Sequence, residues 1–106
     1  FIAVGGEGGE PQAGRGEVYA LNVDPDRWGG GVGRALLDAG CEHLRRAGFH
    51  DAVLWVHPDN ARARAFYEAA GWAADGAERR EQVLGVDVPE VRYRRTLDRD
   101  AASRGC

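Results

Sequence analysis

The sequence predicts an α/β fold: a mixed, mostly antiparallel sheet flanked by helices. Three observations predict it. Residues 17–23 alternate in polarity and are rich in β-favouring side chains, which suits a half-buried strand. From Arg34 the apolar spacing becomes helical, directly after a glycine-rich turn. Residues 52–56 form a short apolar run bounded by polar residues, the pattern of a strand covered on both faces. A helix between two such strands is a crossover connection within one sheet.

The elements follow in order. Phe1, Ile2, Ala3 and Val4 read as the end of a strand. Residues 5–16 are dense in Gly and polar residues and read as a flexible hairpin connection. The strand over 17–23 stops at Asp24-Pro25-Asp26, because Pro25 lacks an N–H and pushes Asp24 out of helical conformation. Residues 27–33 are the turn. In the first helix Leu36, Gly40 and Leu44 lie four apart, with Leu37 and Cys41 beside them. Arg45 and Arg46 suit a helix C-terminus, and Gly48 is a natural stop. After the strand over 52–56, His57-Pro58-Asp59 breaks the pattern. Asn60 is a good N-cap for a helix over 61–70, with Ala63, Phe66, Tyr67 and Ala70 on one face. Gly71 is the expected C′ residue. Trp72 opens a further strand, and residues 83–88 and 90–96 are expected to close the sheet as an antiparallel pair. Residues 98–106 are polar and are expected to be a disordered tail after a single domain over 1–97.

Bulk composition narrows the function classes. The chain has 106 residues, 43% hydrophobic and 29% charged, an ordinary globular mixture. A formal net charge of −3 argues against broad nucleic-acid binding. No apolar run approaches the roughly 20 residues of a membrane span. Cys41 and Cys106 are far apart, which favours a reducing, cytoplasmic setting and offers no clustered zinc ligands; no metal site is expected. The chain has no Met and opens on an apolar run, so it reads as a segment of something longer.

The chemistry concentrates in Trp28, Gly29, Gly30, Gly31, Val32, Gly33, Arg34 and Ala35, a stretch running from a strand end into a helix. Successive glycines permit conformations that a Cβ forbids and let a ligand touch the main chain. The first N–H groups of a helix have no partner within it and sit at the positive end of its dipole. An anion site results, without any lysine; a plain tight turn is the competing reading. A nucleotide P-loop would need Lys then Ser or Thr after the last Gly, where Arg34-Ala35 stand. The dinucleotide pattern G-x-G-x-x-G/A fails at each possible start.

These residues resemble the GNAT superfamily of acyl-CoA N-acyltransferases. Three features carry the resemblance in order. They are Ala20-Leu21-Asn22-Val23-Asp24-Pro25 leading into the glycine turn, the strand over 52–56, and Asn60-Ala61-Arg62-Ala63-Arg64-Ala65-Phe66-Tyr67-Glu68-Ala69-Ala70-Gly71-Trp72. Gly31 and Gly33 match the family's glycine motif, while Trp28 stands where the family has Gln or Arg. By this resemblance a first strand and two helices would precede Phe1, and those helices commonly line the acceptor pocket.

The resemblance implies acetyl-CoA as cosubstrate and direct attack on its thioester by a primary amine of an unidentified acceptor. It places main-chain groups of Leu21 and Val23 on the pantetheine arm, and the N–H groups from Gly29 to Ala35 on the pyrophosphate. Arg34 would add charge there, or be a solvated first-turn arginine. Asn60 and Ala63 would contact the pantetheine region, Asn60 doubling as the N-cap. Tyr67 would be the general acid that protonates the departing thiolate, or else a core aromatic beside Phe66. Glu17 would be the general base, against the alternative of an ordinary exposed strand residue. Relatives that dimerise suggest a homodimer. An acyl-CoA-binding or regulatory module without catalysis is the alternative for the whole chain.

Overall fold

The computed structural model describes residues 1–97. Its elements are β1 (Ile2–Gly6), β2 (Gly16–Leu21), α1 (Val32–Arg46), β3 (Asp51–Val56), α2 (Ala61–Ala69), β4 (Ala73–Val83) and β5 (Val86–Thr96). They build one five-stranded sheet in the order β1-β2-β3-β5-β4. The β2–β3 pair is parallel and the other three pairs are antiparallel, as the sequence predicts.

Both helices lie on the same face of the sheet. Side chains alternate faces along a strand, and Tyr93 and Arg95 of β5 share one face. Tyr93 meets α2 through Arg64 and Glu68, and Arg95 meets Cys41 of α1. The opposite face carries Trp55, with the guanidinium of Arg79 4.3 Å from its ring centre.

α1 sits down tightly because its apolar stripe contains a glycine. A Cβ at Gly40 would stand 2.7 Å from the Ile2 side chain. Around it Leu37, Cys41 and Leu44 are buried against the sheet. A Cβ at Gly16 would likewise stand 3.0 Å from Leu44, so α1 presses on β2 where β2 still pairs with β3. Leu37, Leu44, Val53, Leu54 and Tyr93 are the largest fully buried side chains. Burying each Leu is worth about 1.5–3 kcal/mol.

Three expectations need correction. α1 begins at Val32, ahead of Arg34, because Gly31 takes the left-handed conformation (φ 87°) that starts the helix. Trp72 is buried, and β4 begins at the next residue. Residues 83–88 are not one strand: Val83 ends β4 and Val86 begins β5. Between them Leu84 and Gly85 have φ of 51° and 80°, the two left-handed residues of a tight hairpin. Pro89 lies inside β5 opposite Arg80. It is tolerated because pairing with β3 starts only at Val91, so this stretch of β5 has a partner on one side. The expected tail over 98–106, with Cys106, lies outside the described residues.

Candidate active site

The site starts from an opening in the sheet. β2 and β3 pair only at Gly16↔Ala52 and Glu17↔Val53. β2 then runs on to Leu21 and β3 to Val56 without further pairing. Two clefts, each about 320 Å³, occupy this gap and share Leu21, Asn22, Asn60, Ala63 and Tyr67. One extends to the glycine turn past Val23, Trp28, Gly29 and Phe66. The other extends past Tyr19, Trp55, His57 and Glu90.

Backbone geometry shows which main-chain groups face the gap. Asn22 exchanges both hydrogen bonds with Phe1, the residue before β1: its N–H donates to the Phe1 carbonyl at 2.8 Å, and the Phe1 amine donates back at 2.6 Å. Along extended chain, polar groups of successive residues point to opposite sides. Those of Leu21, at the end of β2, therefore point away from β1, into the opening, while the Val23 carbonyl accepts the Trp28 indole N–H at 2.9 Å.

The turn that follows leaves main-chain amides unpaired at the start of α1. Gly29 and Gly31 have φ of 82° and 87°, and nothing stands within 4 Å of where a Cβ would sit on either. Three amides of the stretch are already used. Trp28 N–H donates to Pro25, Gly30 N–H to Arg27 and Ala35 N–H to Gly31. The amides of Gly29, Gly31, Val32, Gly33 and Arg34 have no backbone partner among the described residues, which narrows the set the sequence suggested. At Gly33 the two helices converge: a Cβ there would touch Phe66 at 3.4 Å and Val23 at 3.5 Å. Free amides, glycines open to solvent and a helix N-terminus fit a pyrophosphate-bearing ligand.

α2 forms the facing wall. Asn60 caps it, its Oδ1 accepting from the Ala63 N–H at 3.1 Å, so the capping role is realised while Asn60 also lines both clefts. A relay pins the helix to β5: Arg64 Nε–H donates to the Tyr93 hydroxyl at 3.0 Å, and that hydroxyl donates to Glu68 at 2.6 Å. Arg64 also donates to the Pro58 carbonyl at 2.8 Å. Tyr67 stands one turn along, packed edge-on against Phe66 at 5.3 Å and Trp72 at 6.3 Å between ring centres. Burial pushes its phenol above the ordinary value, so the hydroxyl keeps its proton.

Two expected residues stand apart from this arrangement. Glu17 is not exposed: it is 7% accessible, and its Oε1 accepts the Gly8 N–H at 2.9 Å, bracing the short turn after β1. It lines neither cleft. Arg34 pairs with Asp38 along the helix surface at 3.1 Å and also lies outside both clefts. The cations that do line the first cleft are Arg27 and Arg62. Neither is in an ion pair among the described residues. Sequence reasoning missed them, and Phe66 as a lining residue. Phe66 was legible from its place on the Ala63–Tyr67 face; Arg62 had no local signal.

A family model described as the acetyltransferase (GNAT) family matches residues 2–72. The chain belongs to that family. The match spans β1 through α2, and thus both walls of the opening. A curated relative, mycothiol acetyltransferase of Geodermatophilus obscurus, is 51% identical over 57 residues, covering 54% of this chain and 18% of the relative. The chain thus spans about a fifth of that protein's length. Among solved structures, nourseothricin acetyltransferase superposes with a TM-score of 0.73 at 24% identity, covering 92% of this chain and 56% of that one. PaiA N-acetyltransferase from Thermoplasma acidophilum, solved in complex with coenzyme A, gives 0.61 at 21% identity, covering 79% and 47%. At these identities the two structures show the fold. No helix of the described residues is long and apolar enough to cross a membrane.

Proposed function

We propose that the chain carries the coenzyme side of an N-acetyltransferase, which moves the acetyl group of acetyl-CoA directly to a primary amine. The observation that carries this reading is the opening between β2 and β3, with main-chain groups of Leu21 aimed into it, Val23 lining it and Tyr67 on its far wall. Extended pantetheine is a peptide-like chain, and an unpaired strand edge offers it a ladder. The five free amides of the glycine turn would hold the pyrophosphate. A main-chain N–H in the opening would polarise the thioester carbonyl and stabilise the charge that develops on its oxygen.

Tyr67 is the acid in this reading. Burial raises its phenol, which therefore stays protonated and can donate that proton to the thiolate as it departs. Glu17 is tied to the Gly8 amide away from both clefts, so deprotonation of the amine is better left to water. Glu90 lines the second cleft, but its carboxylate is already paired with Arg79 at 2.8 Å. The relative's name puts mycothiol chemistry first among acceptors to screen. Cys41, a free buried thiol, suits cytoplasmic residence.

Thiol release from acetyl-CoA, followed across a panel of amines, tests the proposal. Release that depends on an added amine supports it. A second reading, a silent acyl-CoA-binding module, draws on the small share of its relative that this chain covers. Tight coenzyme binding with no release for any amine would decide for that reading.

A further inference from the structure

A stacked side-chain pair spans the first cleft between the glycine turn and α2. The Arg62 guanidinium carbon stands 3.9 Å from the centre of the Trp28 ring. Trp28 is itself fastened, its indole N–H donating to the Val23 carbonyl at 2.9 Å. Both side chains are exposed and both line the cleft. An arginine stacked on an aromatic face spends only its flat surface there. Its N–H donors lie in the guanidinium plane and remain available to an anion, in a fork that matches two phosphate oxygens. Arg62 is also free of carboxylates among the described residues, unlike Arg34, whose charge is taken by Asp38.

We propose that Trp28 and Arg62 form a phosphate clasp: the indole holds the guanidinium at the cleft mouth, and Arg62 grips a phosphate of the coenzyme's nucleotide end. Arg62 is the binding residue and Trp28 the positioning residue. This explains how a tryptophan serves where the family motif carries Gln or Arg. In the clasp the side-chain donor stands on the first turn of α2, on the facing wall. The inference rests on the acetyl-CoA reading above.

Calorimetric titration of the full chain with coenzyme A and with pantetheine, which lacks every phosphate, tests it. Arg62→Gln should weaken coenzyme A binding about tenfold or more, the usual worth of a charge-assisted hydrogen bond, and leave pantetheine binding alone. Arg62→Lys should recover only part, because a point charge lacks the fork. Trp28→Ala should copy Arg62→Gln, while Trp28→Phe, which keeps a ring, should lose less. Circular dichroism would confirm that each variant is folded. Wild-type binding matched by Arg62→Gln for both ligands would overturn the clasp and leave the acetyltransferase reading standing. Equal losses for both ligands would also overturn it, because the residue would then act on the cleft as a whole. Failure of the wild type to bind coenzyme A would overturn both readings together.

Discussion

The two sides of β3 make a useful contrast. Toward β5 it is paired along its whole length, from Asp51↔Thr96 to Val56↔Val91. Toward β2 it is paired at Ala52 and Val53 only. One strand is thus a structural spine on one side and a cleft wall on the other. The residues that stabilise the fold crowd the closed end of the β2–β3 wedge, and those that would handle a ligand sit at its open end. Substitutions at the two ends should therefore separate stability from binding and turnover.

The largest effect is expected at the closed end. Leu44 is fully buried and presses on β2 at Gly16. Leu44→Ala should cost about 2–5 kcal/mol, read as a lower midpoint in urea with the slope unchanged. If coenzyme affinity fell instead while the midpoint held, the division of labour along β3 would be wrong.

At the open end, Tyr67→Phe should lower turnover by on the order of 100-fold with coenzyme affinity kept, the range for loss of a general acid. Burial raises the Tyr67 pKa, so the protonated acid persists past the ordinary value of about 10. The alkaline fall in wild-type turnover should therefore lie above that pH, and Tyr67→Phe should lack it. The same raised pKa favours the fold at lower pH, a contribution lost as pH rises through the folded value. A fall in turnover centred below pH 9 would assign the acid role elsewhere.

Gly31→Ala puts a Cβ on a residue held at φ 87°. It should cost about 1–2 kcal/mol of stability and weaken coenzyme binding as the start of α1 shifts. The smallest effect belongs to the hairpin at the sheet's far edge. Leu84, at φ 51° and 99% exposed, gains nothing from burial. Leu84→Asn should raise stability by about 0.5–1 kcal/mol without changing ligand binding.

Much of this was legible in the sequence. Asn60 announced α2, Gly71 its end at φ 92°, and the glycine turn the start of α1. The resemblance carried by the turn and by the Asn60–Trp72 segment pointed to the family. The rest depended on contacts with no local signal. Leu at a left-handed turn position looks like any strand residue, so the hairpin was displaced toward Pro89. Alternation placed Glu17 on a strand face but said nothing of the turn after β1 that covers it. The Trp28–Arg62 stack joins residues far apart in the chain. The separation of β2 from β3 is a property of the pair, and neither strand shows it alone.

The outer strand has one more consequence. β4 runs for 11 residues with no neighbour on its far side, among the described residues. Left apolar, such an edge would recruit further chains and grow into fibres. Its middle instead reads Glu78-Arg79-Arg80-Glu81-Gln82, all exposed. An in-register copy laid beside it would stack like charges on like, row upon row. Among the described residues the sheet ends at β4, a strand that is a poor template for itself.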